Sequence, residues 1–296
     1  LILKKIDLHL HSSVSDGTLP PVELIDLAAS AGLAAVALTD HDTTAGIPEF
    51  IQAAAKHPEI LAIPGVEISC MLEHREIHIL GLFIEWENLV LGEFLTKIRA
   101  DRHERNLAVI ERLAATGYKV SLEEIQSVSR GEVIGRPHFA KVIKDKYGFN
   151  TLQDVFDCCL KRGRPGYCPR RLPSPAETIA AIHAANGIAV WAHPIYRNHN
   201  EKSWGRRGLN ALAPLGLDGV EAYYTLFNGE QTKILLHLAA EFNLVVSGGS
   251  DFHGDNSPGV LPGVGNGGLD IPFSLLEHMI ARKKALIQKK EVQYEF

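Results

Sequence analysis

Cysteine is scarce: four in 296 residues, Cys70, Cys158, Cys159 and Cys168, with no C-x-x-C spacing. A disulfide framework is therefore not the basis of the fold, and buried free thiols in a reducing compartment are expected. Cys158 and Cys159 read as one face of an apolar helix, "TLQDVFDCCLKRG". No apolar run approaches the roughly 20 residues that span a bilayer. The opening "LILKK" is far too short for the apolar core of a signal peptide. The expectation is a cytoplasmic protein with no membrane partner and no stable protein partner. Positive charge is not in excess: 30 Lys and Arg against 35 Asp and Glu leave a net charge of -5. This argues against bulk binding of duplex nucleic acid by charge alone and leaves room for a local basic pocket that takes a small anion. Also missing are a G-x-S-x-G elbow, a Walker loop and a G-x-G-x-x-G after a strand. The chain thus offers no serine-hydrolase nucleophile and no dinucleotide fold.

What is present is a globular composition, 46% hydrophobic and 22% charged, organised as alternating strands and helices. "KKIDLHL", "LAAVALTD", "EILAIPGVEIS", "EIHILGLFI", "IAVWAHP", "LDGVEAYY" and "LVVSGGSDFH" read as strands. Amphipathic helices such as "PVELIDLAASAG" and "EQTKILLHLAAEFN" separate many of them. Such alternation implies a parallel sheet, and about seven strands suit a distorted (β/α)7 barrel. The pattern breaks between residues 87 and 173, where helices follow one another without strands. The chain reads as a discontinuous barrel, 1–86 and 174–296, with a helical insertion at 87–173. Ser121 with Glu124 and Ser174 with Glu177 have capping-box spacing. "RADRHER" reads as an exposed face of the insertion's long helix, and "KKALIQKKE" as a solvated helix end or strand flank.

Histidine is abundant, 14 in all. "DLHLHSSVSDG" crowds Asp7, His9, His11 and Asp16 together, and a pair of partly buried strand histidines would explain it alone. The remaining chain decides otherwise. His41, Glu67, His78, His193, Asp251 and His253 also fall at or near predicted strand ends, which converge on one face of a parallel barrel. With His9, His11 and Asp16 they make nine candidate metal ligands. A single catalytic zinc takes three protein ligands, so nine suit two or three ions. Imidazole with carboxylate accepts manganese, zinc or iron alike. Glu67 is the candidate to bridge two ions. Ions so paired clamp a water, lower its pKa and neutralise phosphoryl oxygens, and no side-chain nucleophile is then needed. Asp7 and Asp40 are expected to orient ligand imidazoles through their other ring nitrogen, with capping of helix or strand ends as the alternative.

In this order, "DLHLHSSVSDG", "ALTDHDT", "PGVEIS", "IHILGL", "AHP" and "GGSDFH" resemble the PHP (polymerase and histidinol phosphatase) family of metal-dependent phosphoesterases. The motifs span nearly the whole chain. Together with "GRPHFA" they look most like the branch that dephosphorylates nucleoside 3',5'-bisphosphates and trims short oligoribonucleotides. The resemblance implies a distorted (β/α)7 barrel with a helical insertion. It assigns His9, His11, Glu67 and Asp251 to one ion, Glu67, His78 and His193 to a second, and Asp16, His41 and His253 to a third. Catalytic roles fall to Asp16, His193, Asp251 and His253; which one moves the proton stays open.

A phosphate remote from the ions needs its own donors, and arginine forks match phosphate oxygens. Arg136 and His138 in the insertion, Arg164 and Tyr167 in "GRPGY", and Arg197 after "HPIYR" are the candidates. The expected partner is a small phosphorylated nucleotide, with short RNA as an extension. Three rivals remain: a histidinol phosphate phosphatase, which would not need insertion arginines; amide hydrolysis on a metal barrel, which usually calls for a carboxylated lysine where Glu67 stands; and a non-catalytic metal-binding module.

Overall fold

The computed structural model describes residues 4–129, 131, 133–195 and 201–294. One seven-stranded sheet runs in chain order: β1 (Lys5–Leu10), β2 (Leu33–Leu38), β3 (Leu61–Leu72), β4 (Arg75–Leu82), β5 (Ile188–Ala192), β6 (Gly219–Tyr224) and β7 (Val245–Gly249). Its edges meet where Asp251 N donates to His9 O (2.9 Å) and His11 N to Phe252 O (3.0 Å). The result is a nearly closed, distorted barrel, as the alternation implied. The helices are α1 (Pro21–Ser30), α2 (Ile47–Ala54), α3 (Leu89–Ala114), α4 (Leu122–Val128), α5 (Arg136–Tyr147), α6 (Leu152–Val155), α7 (Pro175–Ala184), α8 (Glu201–Leu212), α9 (Gly229–Glu241) and α10 (Ser274–Tyr294). No helix among the described residues is long and apolar enough to cross a membrane.

The all-parallel expectation fails at β4, which is antiparallel to both β3 and β5. β3 and β4 are joined by a two-residue turn with Glu73 at φ 55°, and a parallel pair would need a crossover of a dozen residues or more. β3 itself serves two partners. Leu61–Pro64 pair in parallel with β2, and the chain from Gly65 onward pairs with β4. Gly65 sits at the change: a Cβ there would lie 2.9 Å from Leu38 O and 3.0 Å from Gly81 O.

The barrel interior is filled by Ile6, Leu8, Ala35, Ala37, Ile63, Leu80, Leu82 and Val190, with Leu276 and Met279 of α10. The outer face packs Leu10, Val36, Leu38, Val66 and Ile68 against Leu24, Ile25, Phe50 and Ile182. Leu8 and Leu10 thus belong to opposite faces although they are two residues apart. A register shift between Asp7 and Leu10 is the cause; an extra residue in a strand re-aims the side chains that follow. It turns His9 and His11 toward the interior and leaves Asp7 behind.

Between β4 and β5 the chain is helical, as expected. A third apolar cluster, including Val109, Leu113, Ile125, Phe139, Ile143, Val155 and Leu160, joins α3 to α4, α5 and α6. The capping boxes at Ser121 and Ser174 are both formed. The helix predicted over "TLQDVFDCCL" is short: α6 gives way to a π-helical turn, Phe156–Leu160. That turn leaves Cys158 exposed and Cys159 buried, so the two thiols do not share a face as expected. "KKALIQKKE" lies within α10, and α8 is a helix the pattern did not signal.

Candidate metal centre

Strand ends and loops bring all nine predicted ligands together. His9 ends β1 and His11 follows it; Asp16 lies in the next loop; His41 follows β2; His193 follows β5; Asp251 and His253 follow β7. Glu67 and His78 are placed within β3 and β4. Glu67 is central. Its Oε2 lies 3.4, 3.2 and 3.0 Å from His9 Nε2, His11 Nε2 and His41 Nδ1. Its Oε1 lies 2.8 Å from His78 Nδ1 and 3.0 Å from His193 Nε2. Asp251 Oδ1 is 3.4 Å from His9 Nε2 and 3.2 Å from His11 Nε2, and Asp16 Oδ1 is 3.2 Å from His253 Nε2.

Three groups have ligand atoms close enough to share an ion: His9, His11, Glu67 and Asp251; His11, Asp16, His41 and His253; and His41, Glu67 and His78. The first is the set the motifs implied. The second adds His11 to the implied trio. In the third His41 takes the place of His193, which nonetheless touches the same Glu67 oxygen as His78. The donor chemistry fits divalent cations. His9 Nε2 and His11 Nε2 face each other at 3.1 Å. His11 Nδ1, His41 Nδ1 and Glu67 Oε2 are buried without a hydrogen bond. A cation satisfies such convergent lone pairs where protein donors do not.

Charge is concentrated here. Burial opposes ionisation of Glu67, but His41, His78 and His9 outweigh it and hold its carboxyl well below the usual carboxylate range. Asp251 is held low in the same way, by His9 and His253 against burial. For His41, burial, with His11 and His78 adding like charge, outweighs the pull of Glu67 and Asp16 and pushes the imidazole down to about 3. The backbone is also constrained: His193, Asp251 and Asp42 have φ of 31°, 56° and 54°. Non-glycine residues in this region concentrate at functional sites.

The supporting carboxylates are not those expected. Asp7 meets no imidazole; it accepts from the backbone N–H of His9 (3.2 Å), Ser250 (2.9 Å) and Gly263 (2.7 Å). Asp40 accepts from Ser12 N, Ser12 Oγ and Ser15 Oγ, and so clamps the loop carrying Asp16. Glu221 of β6, which sequence reasoning missed, does the orienting. Its Oε1 lies 3.0 Å from His9 Nδ1, and its Oε2 accepts from His193 N at 2.8 Å. Tyr224 Oη donates to Asp251 Oδ2 at 3.0 Å. The available signal was a carboxylate inside the apolar strand "GVEAYY".

Beside the ligands lies a cavity of about 220 Å³, lined by Asp16, His41 and His78, by Arg102, Arg105, Arg136 and Arg170, and by Tyr167 and Glu76. "RADRHER" is a solvated face only in part: Ala100, His103 and Glu104 are exposed, but Arg102 is 7% and Arg105 9% exposed. They continue the buried stripe Leu91, Leu95, Ile98, Arg102, Arg105, Val109, Leu113 of α3, and that helical spacing was the signal in the sequence. Burial, with Arg102, Arg170 and Arg136 nearby, lowers the Arg105 guanidinium to about 9. Arg102 and Arg170 both pair with Asp42. A larger cavity of about 700 Å³ shares Arg136, Arg170, Tyr167 and His78 and extends to Arg75 and Arg162. Of the other substrate candidates, His138 is spent on structure: its Nδ1 accepts from Gly135 N at 3.0 Å and caps α5. Arg164 is exposed in a turn and lines neither cavity; its neighbour Arg162 does. Arg197 lies outside the described residues.

Comparison with known proteins agrees with this geometry. Residues 7–167 match the PHP domain. The chain is 35% identical over 248 residues to the 5'-3' exoribonuclease Rnm of Escherichia coli, covering 83% of this chain and 84% of that one. It is 34% identical over 260 residues to a 3',5'-nucleoside bisphosphate phosphatase of Chromobacterium violaceum, covering 87% and 90%. A crystal structure from Bifidobacterium adolescentis, described as a metal-dependent phosphoesterase, superposes with a TM-score of 0.84 at 30% identity over 94% of this chain and 96% of that one. With its ligand-bearing strand ends, its buried Glu67 and these relatives, the chain belongs to the PHP family of metal-dependent phosphoesterases.

Proposed function

We propose that this chain removes one phosphate, the one nearest the ions, from nucleoside 3',5'-bisphosphates, with its active site at the nine-ligand cluster and residues 87–173 acting as an insertion that reads the second phosphate. The observation that carries the reading is the arginine-lined cavity against the ligand cluster. A substrate with one phosphate, such as histidinol phosphate, makes no use of buried Arg102, Arg105 and Arg170 beyond the pairing of Arg102 and Arg170 with Asp42, whereas a second phosphate offers their remaining donors charge-assisted partners. The named activities of the Chromobacterium and Escherichia relatives support the same class.

Two to three divalent ions, manganese, zinc or iron, would be held by the three ligand groups, with Glu67 shared between two of them and His193 completing the set. When bound, they supply an activated water and neutralise the phosphoryl oxygens. The chain's own part is to keep Glu67, Asp251 and Asp16 ionised, to hold His9 and His193 through Glu221, and to place His193, His253, Asp251 and Asp16 where a proton can reach the leaving oxygen. Trimming of short oligoribonucleotides is a second reading, favoured by the larger cavity, which leads away from His78 and His193 toward Arg75 and Arg162 and has room for a further nucleotide. The four free cysteines support a cytoplasmic setting.

Steady-state kinetics with manganese test the reading on adenosine 3',5'-bisphosphate, adenosine 5'-monophosphate, histidinol phosphate and a short 5'-phosphorylated oligoribonucleotide. The bisphosphate is expected to exceed both single-phosphate substrates in kcat/KM by about tenfold or more, the effect of one charge-assisted contact. Histidinol phosphate as the best substrate overturns it. No turnover of any substrate by fully metallated protein would instead favour a non-catalytic module.

A further inference from the structure

Asp42 is fully buried and follows His41 directly. Its contacts reach both the strand that carries Glu67 and the buried arginines. Its backbone N–H donates to Glu67 O at 2.9 Å, and its Oδ1 accepts from Ser69 N at 3.3 Å, so it is tied to the strand that carries the central carboxylate. Its backbone oxygen accepts from Arg99 Nη1 at 3.0 Å. Its Oδ2 takes Arg102 Nη2 from α3 and Arg170 Nη1, at 3.3 Å, from the segment that returns the chain to the barrel. Left to themselves, two buried guanidinium groups repel each other and splay. One carboxylate between them holds both.

The shared partner does not use up the arginines. Arg102 Nε and Arg170 Nε are buried without a hydrogen-bond partner, Arg170 Nη2 has only the longer contact to Glu76 Oε1 at 3.9 Å, and both arginines line the cavity beside His41, His78 and Glu76. Guanidinium donors fixed at one end and unsatisfied at the other are suited to an anion with several acceptor oxygens. A buried donor without a partner is costly, so this arrangement persists because the surrounding structure fixes it. The left-handed backbone at Asp42 allows consecutive side chains to diverge: His41 turns to the ligand cluster and Asp42 to the arginines.

We propose that Asp42 is a positioning residue for substrate selection: through Arg102 and Arg170 it sets the distance between the reacting phosphate and the second phosphate. The inference rests on the reading of the arginine cavity as a second-phosphate site. Adjacent residues, with Cα atoms ~3.8 Å apart, thus face the ligand cluster and the paired arginines, and the ion pairs to Asp42 tie the arginines to that point of the barrel. A nucleotide whose two phosphates match that distance is favoured over one whose second phosphate is absent or displaced.

The test is a double-mutant cycle on adenosine 3',5'-bisphosphate with Asp42→Asn, Arg102→Ala and the pair. Asn keeps the shape of Asp and removes its charge. Asp42→Asn is expected to raise KM by about tenfold, the effect of loosening one charge-assisted contact, with a smaller change in kcat and with metal content unaltered by elemental analysis. The double variant should be no worse than the poorer single variant, because both changes remove one unit. Asp42→Glu, which keeps the charge and misplaces it, should fall between wild type and Asn. It serves as the second variant if Asn does not fold. Additive losses, a fall in kcat without a rise in KM, or loss of metal from Asp42→Asn would overturn the proposal. Wild-type kinetics for Arg102→Ala would instead sink the second-phosphate reading itself. Impaired Arg102→Ala with wild-type Asp42→Asn would sink only the positioning role.

Discussion

Glu221 touches no substrate and appears in none of the three ligand groups, yet it holds two ligand residues, His9 through the ring and His193 through the backbone. Partners of this kind fix the tautomer and orientation of a ligand imidazole, and their loss typically weakens metal affinity about 10–100-fold. Glu221→Gln should do so in competition with a chromophoric chelator, and an unchanged affinity would refute the role. Arg136, at the start of α5, lines both cavities. A charge-assisted contact contributes roughly 1.5–3 kcal/mol, so Arg136→Ala should lower kcat/KM for adenosine 3',5'-bisphosphate by about one to two orders of magnitude. The loss on p-nitrophenyl phosphate, which has no second phosphate, should be clearly smaller. Equal losses would place Arg136 at the reacting phosphate or in the fold. The convergence of the nine candidate ligands was legible because short motifs cluster them at strand ends. The roles of Glu221, Asp42 and Arg102 were not: helical spacing and an apolar strand mark Arg102 and Glu221 as buried, but the partners of all three are far away in sequence. Asp7 misled because alternation in "DLHLH" hides the register shift that parts it from His9.

Elements were legible as periodic patterns, but their directions and interruptions were not. Seven apolar runs do become seven strands. Nothing in "EIHILGL" says that β4 runs against its neighbours; the brevity of the turn before it is the only trace. The helix pattern through "TLQDVFDCCLKRG" likewise conceals a π-helical turn, and the turn has a chemical consequence. It exposes Cys158, while Cys70 is buried in the sheet with its thiol pushed up to about 12 by burial. Thiolate character and access together set alkylation rates. Iodoacetamide should therefore label Cys158 in the folded protein and reach Cys70 only after denaturation, as read by peptide mass spectrometry. Equal labelling rates at the two positions would contradict the placement of both.

At the scale of the molecule, the barrel's two ends differ in what holds them. α10 closes one end with Leu276 and Met279 packed on the interior cluster. The other end gathers the imidazoles and carboxylates of the nine-ligand cluster, where apolar packing stops. Interactions there are strong but mutually dependent, since each carboxylate is held ionised by histidines that burial would otherwise discharge. Divalent cations bind this arrangement in the folded chain and far less in the unfolded one, so they stabilise the fold by mass action. One site with free metal at 100 times its Kd adds about 2.7 kcal/mol. For a chain of this size a stabilisation of 1 kcal/mol shifts Tm by roughly 2–4 °C. Removing metal with a chelator, with elemental analysis confirming its loss, should therefore lower Tm by about 5–10 °C for each site emptied from that level of occupancy. Adding manganese should restore both Tm and turnover. An unchanged Tm after complete removal would mean that the ligand end of the barrel is held without the ions, and that the metals serve the reaction alone.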